Sequence, residues 1–139
     1  MRSKIFITGA SGFVGKNLIE YLKPKYSFTK YNRKEKIDII ESLVIHLAGK
    51  AHDLKNISNS EEYYQANTEL TKKVFDEFIN SDAKIFITLS SVKAVADELV
   101  GELTEEYMPK PITHYGKSKL LAEQYITNKE IPSGKRIYV

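Results

Sequence analysis

At 139 residues the chain has the length of one ordinary domain and is large enough for a single hydrophobic core. It contains no cysteine, which excludes disulfides and thiolate metal sites and fits a reducing compartment. The net charge of +3 is mild, and no apolar run approaches the roughly 20 residues of a membrane span. Because residues 1–4 lead into a strand-like run instead of a signal-peptide core, we expect a soluble, cytoplasmic protein with no membrane partner.

The first element is an apolar strand over residues 4–8, which runs directly into three glycines spaced three apart. Gly9 permits a tight turn, Gly12 places no Cβ between the backbone and a ligand, and Gly15 lets the next helix lie close to the strand. The N-terminus of that helix offers N–H groups to an anion. This pattern favours a dinucleotide pyrophosphate site over a plain βα turn. Its predicted residues are Gly9, Ser11, Gly12, Phe13, Val14 and Gly15.

Four further apolar runs of strand length follow, at residues 26–31, 43–48, 84–89 and 136–139. Segments of helical period separate them, and this alternation is typical of a parallel sheet with crossover helices. We therefore predict an α/β fold, a Rossmann-like doubly wound parallel sheet, forming one dinucleotide-binding domain over residues 1–139.

Three helices are predicted from apolar periodicity: one that ends before Pro24, one over residues 60–79 and one over residues 113–128. The first has an apolar face of Val14, Leu18, Ile19 and Leu22. The second has an apolar stripe of Tyr63, Leu70, Val74 and Phe78. In the third, we expect inward-facing Leu121, Ala122, Tyr125 and Ile126.

Only eleven residues, 32–42, separate the second and third strands, which is too few for a helix, a further strand and a return crossing. The sheet is therefore expected to be abridged here, with residues 26–31 as its edge strand. The sequence stops in a strand with nothing left for a C-terminal substrate domain, so we expect it to be the front part of a longer protein.

Basic residues concentrate after the second strand, where Asn32, Arg33 and Lys34 precede the first carboxylate, Glu35. At this position of a dinucleotide fold an acidic residue bonds a ribose 2′-hydroxyl, whereas a basic one accommodates a 2′-phosphate. The pattern favours NADP over NAD, and a solvated loop face is the alternative. No nucleic-acid motif accompanies these charges, so we expect no nucleic-acid partner.

Tyr115 and Lys119 lie four residues apart in a segment of helical period, so their side chains share one face. A nearby ammonium favours the phenolate form of a tyrosine, which makes it a usable acid or base. Alone, this spacing favours a plain surface pair, because it occurs by chance in many helices. However, Ser90 and Ser91 follow the apolar run of residues 84–89, at the carboxyl end of a strand, where open α/β sheets place their ligands.

Together with His46, Leu47, Ala48 and Gly49 after the third strand and Asn67 in the next helix, these residues resemble the extended short-chain dehydrogenase/reductase family, the NAD-dependent epimerase/dehydratases acting on nucleotide sugars. The resemblance covers residues 5–139. It implies that Tyr115 is the catalytic acid/base, that Lys119 assists it and holds the nicotinamide ribose, and that Ser91 orients the substrate oxygen. It further implies that Asn67 is the structural asparagine and that Leu47, Ala48 and Gly49 contact the cofactor. Ser91 is preferred to Ser90 because the family's hydroxyl stands five residues before a glycine, here replaced by Ala96.

The implied activity is reversible hydride transfer at a sugar carbinol carbon with NAD or NADP. We expect a UDP-sugar 4-epimerase in surface-polysaccharide synthesis. The alternatives are a nucleotide-sugar 4-ketoreductase, a dehydratase, or a non-catalytic dinucleotide-binding module. The family also implies a homodimer.

No metal site is expected from the three histidines. His46 lies in an apolar strand and is predicted to be a core residue, whereas His52 and His114 have no partners at metal-ligand spacing.

Overall fold

The computed structural model describes residues 2–51, 59–98 and 101–139, so His52 lies outside the described residues. The strands are β1 (Ser3–Thr8), β2 (Tyr26–Lys30), β3 (Leu43–His46), β4 (Ile85–Thr88) and β5 (Arg136–Tyr138). The helices are α1 (Phe13–Leu22), α2 (Ser60–Tyr63), α3 (Leu70–Asn80) and α4 (His114–Thr127). A π-helical segment (Tyr64–Glu69) joins α2 to α3, and a 3₁₀ turn (Val92–Ala94) follows β4.

The five strands form one parallel sheet in the order β2-β1-β3-β4-β5. Strand β1 lies between β2 and β3, with Ile5 opposite both Phe28 and Leu43. This topology confirms the α/β, Rossmann-like prediction and places β2 at the edge of the described sheet. Because all strands are parallel, their carboxyl ends meet at one edge of the sheet.

The abridged connection between β2 and β3 is also confirmed, since residues 31–42 contain no helix or strand. Its last part is tied to the sheet by Glu41, whose side chain is buried. The Glu41 carboxylate accepts hydrogen bonds from the Thr29 hydroxyl and the Ile40 amide, and it lies 3.9 Å from Lys4 Nζ. A short, anchored loop therefore replaces the usual crossover.

The described residues divide into two compact units. Unit 1 comprises those within 2–48, 73–89 and 130–139 and therefore contains the whole sheet. Unit 2 comprises those within 49–72 and 90–129, including the π-helical segment and α4. The prediction of one domain over residues 1–139 stays a prediction.

The core of unit 1 has apolar side chains on both faces of the sheet. On one face Ile5, Ile7 and Ile45 pack with half-buried side chains that include Leu18 and Ile19 of α1. On the other, the ring of Phe86 lies 5.1 Å and 5.2 Å from the rings of Phe75 and Phe78 of α3. Helices therefore cover both faces within this unit, as doubly wound sheets require.

The predicted apolar face of α1 is only partly correct. Leu18 and Ile19 pack on the sheet, but Val14 is 47% exposed because it lies in the first turn, beyond the end of the strands.

In unit 2, α4 packs against α2, the π-helical segment and the 3₁₀ turn. Ala122 and Ile126 are buried, as predicted, and Tyr125 is half-buried. The expectation for Leu121 is wrong, because its side chain is 45% exposed. Successive residues of a helix are about 100° apart around its axis. Because Ala122 and Ile126 point into the packed face, Leu121 lies at the edge of that face. Within residues 2–51, 59–98 and 101–139, no helix is long and apolar enough to cross a membrane.

Lys135 caps the carboxyl end of α3. Its ammonium donates to the carbonyl oxygens of Phe78, Ser81 and Ala83 at 2.9, 2.7 and 2.6 Å, and it lies 4.6 Å from the centre of the Phe78 ring. Burial lowers the pKa of Lys135 below its ordinary value; Lys84 adds to this effect and Asp82 opposes it. The three hydrogen bonds tie the last turn of α3 to the segment that follows it, and they supply a donor to carbonyls at and just beyond the helix end.

We expect Lys135→Met to lower the free energy of unfolding by about 1–3 kcal/mol, because it removes the donor shared by these carbonyls. Urea unfolding followed by circular dichroism measures the loss. Lys36→Met, in the exposed part of the β2–β3 connection, should change stability by less than about 0.5 kcal/mol. Equal losses in the two variants would contradict the capping role.

Candidate functional site

The glycine loop of unit 1 is shaped by close backbone approaches. Gly9 adopts φ +70°, and a Cβ atom added there would lie 2.5 Å from the carbonyl carbon of Leu47. A Cβ atom at Gly15 would lie 2.2 Å from the carbonyl oxygen of Gly9. Both positions therefore exclude a side chain, for the reasons that the sequence pattern predicted.

Gly12 has a different environment, which suits a bound anion. It precedes α1 without a capping side chain, and its own N–H donates to the Gly9 carbonyl at 3.0 Å. A Cβ atom added at Gly12 would meet only that same carbonyl oxygen, at 3.3 Å. The first-turn N–H groups of this ten-residue helix therefore lack a side-chain cap, an arrangement that favours anion binding, and the exposed Ser11 lies in the same loop.

The end of β3 is fixed against this loop by Thr8. The buried Thr8 hydroxyl accepts hydrogen bonds from the N–H groups of Leu47 and Ala48 at 3.2 and 3.1 Å. With these two bonds accepted, we assign its own proton to the bond with His46 Nδ1 at 2.7 Å, which makes His46 a neutral imidazole. His46 is buried and stacks on Phe86, so the prediction of a core histidine is confirmed.

The predicted 2′-site lies in a turn after β2. The Tyr31 N–H donates to the Ile7 carbonyl at 2.8 Å, which holds the start of this turn beside the carboxyl end of β1. The Asn32 side-chain oxygen accepts from the Lys34 N–H at 3.2 Å. Asn32, Arg33 and Lys34 are all exposed. The turn therefore presents its basic side chains to solvent at the same sheet edge as the glycine loop.

Asn67 is the central polar residue of unit 2. Its buried amide accepts from the Lys50 N–H at 2.7 Å and donates to the Lys50 carbonyl at 3.1 Å and to Ser118 Oγ at 3.0 Å. A Cβ atom at Gly49 would lie 2.8 Å from the Asn67 side-chain oxygen, so this approach requires glycine there. Ser118 Oγ donates in turn to the Tyr115 carbonyl at 2.8 Å. Asn67 is thus connected to the backbone of the predicted catalytic tyrosine.

Tyr115 and Lys119 lie one turn apart at the start of α4, and both are half-buried. The Tyr115 ring meets the buried Tyr63 ring edge-on, with 6.3 Å between centres. The next residue, Gly116, is close to the 3₁₀ turn, because a Cβ atom there would lie 2.2 Å from the Lys93 carbonyl oxygen. Burial lowers the pKa of the Lys119 ammonium below its ordinary value, and the carboxylate of Glu123 opposes this effect.

The two serines have different partners. Ser91 adopts an extended conformation, and its hydroxyl accepts from the Lys93 N–H at 3.2 Å, which caps the 3₁₀ turn. The Ser90 hydroxyl donates to the Glu123 carboxylate on α4. The 3₁₀ turn that Ser91 caps packs against α4. The Ser90 hydroxyl, in contrast, already donates its proton to the Glu123 carboxylate.

Asp97 fixes the segment that leads into α4. Its carboxylate accepts from the N–H of Ile112, from the N–H of Thr113 at 2.9 Å and from the Thr113 hydroxyl at 2.7 Å. Thr113 also caps α4 by accepting from the Gly116 N–H at 3.1 Å. Burial alone would raise the pKa of Asp97, but these hydrogen bonds and Lys93 hold it below its ordinary value. Asp97 therefore stays charged at neutral pH and anchors the helix that carries Tyr115.

Some of this arrangement has no signal in the sequence. The π-helical segment around Asn67 interrupts an apolar stripe whose period predicts an ordinary α-helix. Ser118 lies between Tyr115 and Lys119 in the chain, and no motif points to its role. The exposed His114 contacts the Tyr64 hydroxyl at 3.1 Å.

In the described part of the chain, no group of three or more His, Cys, Asp or Glu side chains is placed to hold a metal ion. The expected absence of a metal stays a prediction.

Comparison with known proteins places these features in a family context. The model of the NAD dependent epimerase/dehydratase family matches residues 5–130. The chain is 30% identical over 143 residues to GDP-6-deoxy-D-talose 4-dehydrogenase from Aggregatibacter actinomycetemcomitans, a match that covers 91% of this chain and 48% of that protein. The chain spans about half the length of the curated relatives it matches.

Two solved structures share the fold. UDP-glucose 4-epimerase from Brucella ovis, in complex with NAD, matches with a TM-score of 0.80 and 20% identity over 97% of this chain and 50% of that one. dTDP-4-dehydrorhamnose reductase from Bacillus anthracis str. Ames, in complex with NADP, matches with a TM-score of 0.79 and 24% identity over 99% of this chain and 52% of that one. At these identities the likeness concerns the fold alone.

The glycine loop gives two contrasting substitutions. We expect Gly15→Ala to lower the free energy of unfolding by about 3 kcal/mol. Its methyl group would overlap the backbone of Gly9 and Ala10, which cannot move away as the end of a flexible side chain can. Gly12→Ala should cost about 1 kcal/mol or less, since its methyl group would meet a single atom, the Gly9 carbonyl oxygen at 3.3 Å, and a shift of a few tenths of an ångström relieves that contact. Urea unfolding compares the two. Similar losses would show that the close approach at Gly15 is not a packing constraint.

Proposed function

The chain belongs to the NAD dependent epimerase/dehydratase family, and from this premise we propose that it serves a nicotinamide-dependent enzyme that transfers hydride at a carbinol carbon of a nucleotide sugar. The observation that carries the proposal lies in unit 2, where Tyr115 and Lys119 share the first turns of α4 and Asn67 reaches the Tyr115 backbone through Ser118. A non-catalytic dinucleotide-binding module needs none of these groups, and their presence together favours catalysis over that alternative.

In unit 1, the glycine loop would hold the pyrophosphate of NAD or NADP. The supporting observations are the side-chain-free approach at Gly12 and the uncapped N-terminus of α1. Leu47 and Ala48, fixed by Thr8 beside Gly9, would line the same cofactor, and Gly49 is the next residue of that chain segment. When bound, the nicotinamide supplies the hydride-accepting chemistry that side chains lack.

The residues of unit 2 would handle the proton. Tyr115 takes the proton from the reacting sugar hydroxyl, and Ser91 orients that oxygen with its own hydroxyl. The Lys119 ammonium favours the phenolate form of Tyr115 and holds the nicotinamide ribose. Asn67 acts through Ser118 and the Lys50 backbone, so we assign it a positioning role.

The finer assignment is a UDP-sugar 4-epimerase in surface-polysaccharide synthesis. A 30% identical relative named UDP-glucose 4-epimerase, from Vibrio cholerae, supports it, but similar proteins also include a GDP-6-deoxy-D-talose 4-dehydrogenase and a GDP-6-deoxy-D-mannose reductase. A 4-ketoreductase or a dehydratase is therefore the second candidate. A dehydratase would begin with the same transfer of hydride and proton from the sugar, whereas a ketoreductase would run this transfer in reverse, with hydride passing from the reduced cofactor to the ketone carbon and a proton from Tyr115 to its oxygen. The homodimer and the cytoplasmic location stay predictions.

Cofactor preference is tested by calorimetric titration with NADPH and NADH. We expect NADPH to bind more tightly, because Arg33 and Lys34 present cations and no carboxylate lies between the end of β2 and Glu35. Arg33→Ala should weaken NADPH binding about tenfold, because it removes one charge-assisted hydrogen bond to the 2′-phosphate. NADH, which has no 2′-phosphate, should bind with unchanged affinity. Lys36→Ala is the matched control. Equal affinity for the two cofactors would overturn the preference, and binding of neither would overturn the cofactor site.

Hydride transfer is tested with Tyr115→Phe. The substitution removes only the phenol oxygen, so cofactor affinity should stay within about twofold, whereas reduction of the bound cofactor by a panel of UDP-, GDP- and dTDP-sugars should fall by at least about a hundredfold. Absorbance of the reduced nicotinamide reports the reaction. Tyr107→Phe, at an exposed tyrosine, should leave the rate unchanged. Turnover that survives in Tyr115→Phe would contradict the assigned base.

A further inference from the structure

Glu123 lies one helical turn beyond Lys119 on α4, so the two side chains share a face of that helix. Glu123 is half-buried, and its carboxylate accepts a hydrogen bond from the Ser90 hydroxyl. That bond orients the carboxylate from outside the helix. The position of a negative charge beside Lys119 is therefore fixed by two separate segments of unit 2.

The surroundings of Lys119 oppose its ionisation, and Glu123 counteracts them. Burial lowers the pKa of the Lys119 ammonium, and the field of Glu123 acts in the opposite direction. The proposed function requires Lys119 to be charged, since a neutral amine would not favour the phenolate of Tyr115.

Several charged groups on the elements packed against α4 are paired with an opposite charge, and Glu61 on α2 accepts a hydrogen bond from the Gln65 side chain at 2.8 Å. Lys93 on the 3₁₀ turn lies 3.8 Å from Asp97, and the Tyr64 hydroxyl contacts His114 at 3.1 Å. Nearby ion pairs join Lys50 to Glu62 and Lys72 to Glu69, both at 2.8 Å. Glu123 instead is bonded to the neutral Ser90 hydroxyl, which leaves its charge uncompensated by that partner.

We propose that Glu123, oriented by Ser90, holds Lys119 in its ammonium form and is thereby a positioning residue for the Tyr115–Lys119 pair. The consequence for catalysis rests on the proposed function. The charge on Lys119 does not, because it can be measured on the chain without cofactor or substrate. It also gives Ser90 a role distinct from that of Ser91: Ser90 acts on the lysine through a carboxylate, whereas Ser91 would act on the substrate.

The test is a pH titration of Lys119 by NMR in the full chain carrying isotope-labelled lysine, with Lys119→Arg to assign the signal. In Glu123→Gln we expect the titration midpoint to move to lower pH, so that the neutral fraction at a fixed pH below the midpoint rises about two- to fivefold. Ser90→Ala should move it in the same direction by less, because the carboxylate remains but is less well oriented. Glu106→Gln, which removes an exposed carboxylate of the same unit, should leave it unchanged.

A midpoint that stays the same in both Glu123→Gln and Ser90→Ala would overturn the proposal, and so would an equal shift in Glu106→Gln. Should Glu123→Gln fail to fold, Ser90→Ala still decides the question. The readout needs no cofactor or substrate. Failure of the proposed function, seen as absent NADH and NADPH binding by the unmodified chain, is therefore distinguished from failure of this inference.

Discussion

The geometry of unit 2 depends on one buried amide. Asn67 pairs with both backbone groups of Lys50 and reaches Ser118, so a single side chain joins the segment after β3, the π-helical segment and α4. A buried amide left without partners is costly, which ties the three segments to one arrangement. The π-helical geometry is consistent with this demand, since such segments change the direction of a side chain relative to a regular helix and are frequent at functional sites.

In unit 1, the glycine loop is shaped by close approaches of the backbone at positions that carry no side chain. At Gly9 and Gly15 the backbone occupies the space that a Cβ atom would need, whereas at Gly12 a Cβ atom would meet one backbone atom, the Gly9 carbonyl oxygen, at 3.3 Å. Thr8 organises this corner, because its hydroxyl accepts hydrogen bonds from two N–H groups that follow β3. A phosphate site built from backbone N–H groups needs few side chains, whereas a site for proton transfer needs several that are held in place.

These differences explain how much the sequence could predict. The glycine loop, the sheet and the short β2–β3 connection follow from local spacing, so the pattern predicts them correctly. The exposure of Leu121 depends on which elements lie beside α4, and periodicity gives a direction around a helix but not its neighbours. The bonds from Asn67 to Ser118 and from Asp97 to Thr113 join residues far apart in the chain, and no local pattern marks them.

The pair Ser90 and Ser91 shows how adjacent, chemically identical residues can acquire different uses. Ser91 is in an extended conformation, in which successive side chains point to opposite sides of the chain. One hydroxyl therefore turns toward Glu123 on α4, while the next caps its own 3₁₀ turn. A hydroxyl bonded to a carboxylate is a committed donor, whereas one that accepts from a backbone N–H retains its own proton for another partner. This reasoning supports the proposal that Ser91, and not Ser90, bonds the substrate oxygen.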